Sequence, residues 1–151
     1  LGNLHMGELY FAKSLGGRPM LFLDTTTGEM SLLQREWLED QLRHTQQEVI
    51  LFMHHPPLQG GVPYMDANYP LHNREAVQAI FFQHPYPITV FCGHYHVEKT
   101  VQQNNVIMHI TPSTFYQIDQ FGEAFQVDHK RPGFRVIDLE EGHFRHTVRY
   151  L

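Results

Sequence analysis

The 151-residue chain is 42% hydrophobic and carries a formal net charge of -5, from 11 Lys and Arg against 16 Asp and Glu. That reads as one globular domain with a real core, and with no basic run it gives nucleic-acid backbone binding little electrostatic support. One cysteine, Cys92, excludes an internal disulfide framework and fits a reducing, cytoplasmic setting; no apolar stretch approaches the roughly 20 residues of a membrane span, and no signal peptide is visible.

The first coherent element is the apolar run Pro19–Asp24, a buried strand followed by a turn over Thr25–Glu29. A helix follows from Ser31 to His44. Ser31 and Gln34 make a capping-box pair, and Leu33, Trp37, Leu38 and Leu42 fall on one face. Glu48–Met53 is a second strand whose apolar residues run without alternation, the pattern of a strand covered on both sides. From His54 to Leu71 the spacing of Pro56, Pro57, Gly60, Gly61, Pro63 and Pro70 reads as a long loop. Asn73 is placed to cap a helix running to Gln83, with Ala76, Val77 and Ile80 inward, and Ile88–Phe91 is a third strand. Beyond it, Val97–Val101, Val106–Ile110, Ala124–Val127, Phe134–Leu139 and Phe144–Tyr150 read as short antiparallel strands. Their turns are Asn104-Asn105, Pro132-Gly133 and Glu141-Gly142. The expected fold is α/β over residues 1–151, a single unit with parallel strands and helices first and antiparallel strands last.

Histidine is the compositional outlier, at 12 residues. His44, His84, His129, His143 and His146 lie scattered in polar surroundings and read as surface residues. Two clusters differ, because each follows directly on an apolar strand: Met53-His54-His55-Pro56-Pro57 and Cys92-Gly93-His94-Tyr95-His96. Strand C-terminal ends are where α/β sites assemble, and imidazole suits zinc, iron or copper. His54 and His55 are adjacent, so one ring faces the cleft while the other packs or hydrogen-bonds. In extended geometry His94 and His96 share a face and could address one metal or two. Gly93 permits a close backbone approach before them. A hydrolytic two-metal site generally also needs carboxylates, and neither cluster supplies one.

These clusters are similar to the late signatures of the calcineurin-like metallophosphoesterases, a G-H-x-P-like motif, often His-His-Pro-Pro, and then G-H-x-H. The chain resembles most the bacterial class III cyclic-nucleotide phosphodiesterase branch. Gln34-Arg-Glu-Trp37-Leu38, Met65-Asp66 with Leu71-His-Asn73, Thr111-Pro-Ser-Thr114 and Pro132-Gly-Phe-Arg135 carry the likeness over about residues 20–151. The resemblance implies part of an αββα sandwich and hydrolysis of a phosphodiester by binuclear-metal-activated hydroxide, 3',5'-cyclic nucleotides being one candidate substrate. It implies His54 and His94 on one metal and His96 on the other, the ions being two divalent or trivalent metals (Fe, Mn or Zn). The family's D-x-H, its G-D-x-x-D and the catalytic histidine of its G-N-H-D/E are expected upstream. Gly2-Asn3-Leu4-His5 resembles the last but has Leu4 at the catalytic position, so Asn3 is weighed both as a ligand and as part of a frayed terminus. No catalytic residue is assigned.

The chain is therefore expected to lack the N-terminal half of the domain and to hold metal weakly. It would be inactive alone, needing a complementing half or self-association. His55, Tyr64, Asp66, Asn73, Ser113 and Thr114 are candidates for the rim of a pocket for a small phosphate ester, with no nucleic-acid or membrane partner. Asp24 reads as a turn residue, Cys92 as buried and inert, and Trp37 as core. The alternatives are a metal-binding or interaction module without turnover, and an α/β scaffold without metal.

Overall fold

The computed structural model describes residues 3–5, 7–140 and 143–151; side chains are described from residue 7 onward, so Asn3 as a ligand and the Glu141-Gly142 turn lie outside it. Its centre is a seven-stranded sheet in which β1 (Asn3–His5), β2 (Glu8–Leu15), β3 (Arg18–Phe22), β4 (Val49–Phe52), β5 (Ile88–Cys92), β7 (Val106–Ile110) and β6 (Lys99–Gln103) are neighbours in that order. Strands β3 (Arg18–Phe22), β4 (Val49–Phe52), β5 (Ile88–Cys92) and β7 (Val106–Ile110) run parallel, in registers such as Leu21 with Leu51 and Leu51 with Val90. β6 (Lys99–Gln103) folds back antiparallel on β7 through Asn104, which takes φ 52°. Two further antiparallel pairs lie outside this sheet, β8 (Gln117–Ile118) with β9 (Val127–His129), and β10 (Gly133–Glu140) with β11 (His143–Tyr150). The α/β expectation holds, with two differences in order: antiparallel strands also precede the parallel ones, and β7, expected among the antiparallel strands, runs parallel to β5 while pairing antiparallel with β6.

The sheet's two faces are covered differently. On one, α1 (Leu32–His44) contributes Leu38 and Leu42, and α3 (Arg74–Gln83) contributes Val77 and Phe81, to a buried cluster with Leu21, Leu51, Val90 and Met108. On the other, Met20, Ile50 and Phe91 pack under Ile137, Leu139 and Phe144 of the β10–β11 hairpin. This double cover is why β4 reads as a continuous apolar run. Beside the hairpin the second face carries a ladder of stacked rings, Phe11 on Phe22 at 4.6 Å, Phe22 on Phe52 at 4.8 Å and Phe52 on Phe91 at 5.6 Å. Among the described residues, no helix is long and apolar enough to cross a membrane.

Several elements depart from the sequence pattern. β1 (Asn3–His5) and β2 (Glu8–Leu15) add two strands before β3. Gly16 and Gly17, both at positive φ, form the β2–β3 turn, a two-glycine hairpin signal that the sequence reading passed over. On α1, Ser31 caps the helix by accepting from Gln34 N, but the buried face carries Gln34 and not Leu33, which is 50% exposed. The Gln34 amide does not close the capping box. It accepts from Asp24 N at 2.8 Å and donates to Asp24 O at 2.7 Å, a backbone-like bridge that makes burial of a polar side chain tolerable.

The expected loop after β4 contains α2 (Pro63–Asn68), because Pro63 occupies the first turn, where its missing N–H costs nothing. Asn73 makes no side-chain cap on α3; its amide bridges the Met30 backbone at 3.1 and 2.7 Å. The Ala124–Val127 strand is displaced to β9, paired with the unanticipated β8. His84, expected at the surface, is buried with Nε2 3.1 Å from Gln47 O, and His146 is half-buried against Arg135.

Candidate metal centre

β4 and β5 are hydrogen-bonded neighbours, so both histidine clusters emerge side by side at the same end of the sheet. The backbone joins them directly: Met53 N donates to Phe91 O, and Gly93 N donates to His54 O at 3.0 Å. Gly93 is not sterically required there, since a Cβ would meet nothing closer than His54 Nδ1 at 4.0 Å.

The segment after β5 is not extended. His94 and His96 both take left-handed backbone conformations, φ 66° and 53°, with Tyr95 between them. Such conformations are costly for residues with a Cβ and concentrate where function demands them. Tyr95 holds the turn. Its ring is fully buried, and its hydroxyl donates to Asp66 Oδ1 at 2.9 Å. Gly60 leaves room for that ring, since a Cβ at Gly60 would stand 2.8 Å from it.

His54 Nε2 lies 3.1 Å from His94 Nδ1. Two nitrogens bound at about 2.0–2.1 Å to one tetrahedral ion stand ~3.3 Å apart, so this pair is spaced as two donors to a single metal. The His94 ring lies edge-on to Tyr69 at 6.4 Å and the His96 ring is tilted against Tyr116 at 4.7 Å between centroids, contacts that help orient both imidazoles. His96 Nδ1 is buried without a hydrogen-bond partner. Burial, reinforced by neighbouring imidazoles, lowers the pKa of His54 and pushes His94 to about 4. Burial likewise lowers that of His96. All three are therefore neutral near pH 7, the form that ligates metal. Among the described residues, no group of three or more His, Cys, Asp or Glu side chains converges to hold an ion. The donors fit a metal in chemistry and spacing but do not close a centre.

The remaining candidates separate. His55 is buried and clamped by Thr25, whose Oγ1 lies 2.9 Å from Nδ1 and accepts from His55 N; burial and the nearby imidazoles push it to about 4. Its ring supports His94 at 4.1 Å between centroids. The Asp66 carboxylate accepts from Gly60 N, Val62 N and the Tyr95 hydroxyl and pairs with Arg74 at 3.6 Å, so it is committed to the fold of residues 60–66. Asn73 belongs to the Met30 bridge. The Ser113 hydroxyl accepts from Phe115 N, while Thr114 is exposed on the same bend. Tyr64 does line a cavity beside the histidines. Asp24 accepts from Leu9 N and Thr26; partial burial works to raise its pKa, and these hydrogen bonds leave it lowered. Burial pushes the Cys92 thiol up, which makes it unreactive.

The cavity holds about 390 Å³ and is lined by Tyr64, Met65, Tyr69, Tyr116, Ile118 and Phe125 together with His94 and His96. Tyr116 and Phe125 escaped the sequence reading as cavity residues, Tyr116 because it falls in no expected element and Phe125 because it was read only as part of the Ala124–Val127 strand. The clue available was the density of aromatic residues just after Thr111-Pro-Ser-Thr114.

No family model matches the chain. It is 37% identical over 148 residues to a probable cyclic nucleotide phosphodiesterase of Fibrobacter succinogenes, covering 98% of this chain and 57% of that protein. It is 33% identical over 117 residues to the 3',5'-cyclic adenosine monophosphate phosphodiesterase CpdA of Escherichia coli, covering 74% and 41%. Among solved structures it is similar to a dimetal phosphatase from Danio rerio, with a TM-score of 0.50 at 19% identity over 72% of this chain and 34% of that one, a likeness of fold. The chain spans about half the length of the curated relatives it matches.

Proposed function

The chain belongs to the calcineurin-like metallophosphoesterase superfamily, and from that premise we propose that it supplies His54, His94 and His96 to a metal-dependent phosphodiesterase centre acting on 3',5'-cyclic nucleotides in the cytoplasm. The observation that carries this reading is the 3.1 Å approach of His54 Nε2 to His94 Nδ1 at the ends of neighbouring parallel strands. His54 and His94 would hold one ion and His96 a second. Bound there, metal would supply Lewis acidity toward the phosphate oxygens. The chain's own contribution is positioning. β4 and β5 fix the two backbones, Tyr95 sets the turn between His94 and His96, and His55 stays against Thr25 as a neutral support. Carboxylates that would balance the ions' charge come, on this reading, from a complementing segment or a second chain.

The test is calorimetric titration with Zn²⁺ and Mn²⁺ alongside hydrolysis of bis(p-nitrophenyl) phosphate. We expect weak metal binding that His94→Ala lowers by about tenfold or more, and little turnover by this chain without added carboxylate ligands. Absence of metal binding overturns the reading in favour of a metal-free scaffold. The lack of a third converging donor among the described residues favours a second reading, a metal-binding or interaction module without turnover. Metal uptake that never yields turnover, even with a complementing half supplied, selects it.

A further inference from the structure

We propose that the aromatic-walled cavity beside His94 and His96 is a subsite for the flat ring of the substrate's esterified group, and that it selects a nucleobase over glycerol or another alkyl group. The inference rests on the phosphodiesterase reading of the histidines and goes beyond it by assigning the cavity and its preference.

Four rings make the walls: Tyr64 on α2 and Tyr69 at its end, and from far along the chain Tyr116 before β8 and Phe125 before β9. They surround a void of about 390 Å³, within the range of small-molecule sites, instead of filling it. Their mutual angles are open: 56° between Tyr64 and Tyr69, 55° between Tyr64 and Phe125, and 88° between Tyr116 and Phe125. The phenylalanine ladder on the sheet shows the contrast, with rings stacked within 8° to 25° of parallel that use up one another's faces. None of the three ring pairs around the cavity is stacked in parallel. Tyr69 and Phe125 remain 48% and 52% exposed at the mouth, a standing hydrophobic cost that an incoming ring removes.

Charge and position fix which part of a substrate belongs here. Among the described residues the lining holds no Asp, Glu, Lys or Arg, so a phosphate finds no counter-charge among the rings. His94 and His96 are part of the same lining, with Tyr69 6.4 Å from His94 and Tyr116 4.7 Å from His96 between ring centroids. A phosphate held at the histidines therefore sends its ester group into the cavity. A purine or pyrimidine gains stacking there, while glycerol brings hydroxyls to aromatic faces and gains little.

The experiment titrates the chain, with and without Zn²⁺, against adenosine, adenosine 5'-monophosphate and glycerol 3-phosphate by calorimetry. We expect adenosine to bind even without metal and glycerol 3-phosphate to bind only with it. Phe125→Leu keeps an apolar side chain but removes the ring. It should weaken adenosine about tenfold and leave Zn²⁺ uptake unchanged, and Phe125→Tyr should restore binding. Zn²⁺ uptake with no advantage of adenosine 5'-monophosphate over glycerol 3-phosphate overturns the subsite, as does a Phe125→Leu chain that binds adenosine normally. Ring-dependent adenosine binding without any Zn²⁺ uptake supports the subsite and counts against the metal reading alone.

Discussion

His94 and His96 each hold a backbone conformation that costs roughly 1–2 kcal/mol for a residue with a Cβ. Tyr95, buried between them and bonded to Asp66, supplies the contacts that keep both turns in place. The motif marked His54, His94 and His96 as candidate ligands, but it did not reveal the backbone geometry around them. Alternation of side chains along a strand fails once φ turns positive, so the extended geometry that would put His94 and His96 on one face does not apply here. A fully buried tyrosine between two histidines has no signature in spacing either. His109 is a second histidine that the pattern does not mark. It is buried on the ladder face, with Nδ1 2.9 Å from Thr100 Oγ1 and its ring 4.1 Å from that of His146. Burial, with His146 and Arg135 adding to it, pushes its pKa down to about 4. Because the folded value lies below the unfolded one, its stabilisation is fully present above about pH 6.5 and is lost as the pH falls toward 4. His109→Gln should therefore lose about 1–2 kcal/mol less than the parent between about pH 7.5 and pH 5, read by urea unfolding at the two pH values. Equal losses in both chains would refute this account.

At the scale of elements, α1 was readable from its cap and its apolar spacing, yet its buried polar residue inverts the expectation. Gln34 acts as a peptide group in side-chain form, bridging the Asp24 backbone where β3 hands over to the turn before α1. Gln34→Leu keeps the volume but strands a buried N–H and C=O, and should cost about 2–3 kcal/mol. Ser31→Ala removes only a cap, at about 1 kcal/mol. Denaturant midpoints of the two variants check the order, and a Gln34→Leu chain as stable as the parent would remove the bridge from the account. α2 was hidden for the opposite reason. A six-residue helix inside a run of prolines and glycines has too little periodicity to register, and Pro63 signals a break as readily as a start.

The whole molecule is a sheet with one face well covered by helices and the other covered only in part by the β10–β11 hairpin. Most strands and helices from β3 onward, though not α2, β8 or the displaced β9, followed from apolar runs, capping residues and turn dipeptides. Which face each element would cover did not, since that depends on packing between distant segments. The stacked ladder from Phe11 to Phe91 leaves Phe11, Phe22 and Phe52 half-buried on the thinly covered side. Apolar surface of that kind promotes association. Sedimentation velocity at micromolar concentration should show self-association, and Phe11→Lys should reduce it. A parent chain that sediments as a compact monomer contradicts the expectation.

The hydroxyl of Tyr95 works as a hinge pin. On one side it secures the turn carrying His94 and His96; on the other it grips Asp66, which sits on the same short helix as Tyr64 and Met65 of the ring-lined cavity. The wall of the cavity and the histidine turn are thereby coupled parts, and neither can shift far from the other without breaking one 2.9 Å bond.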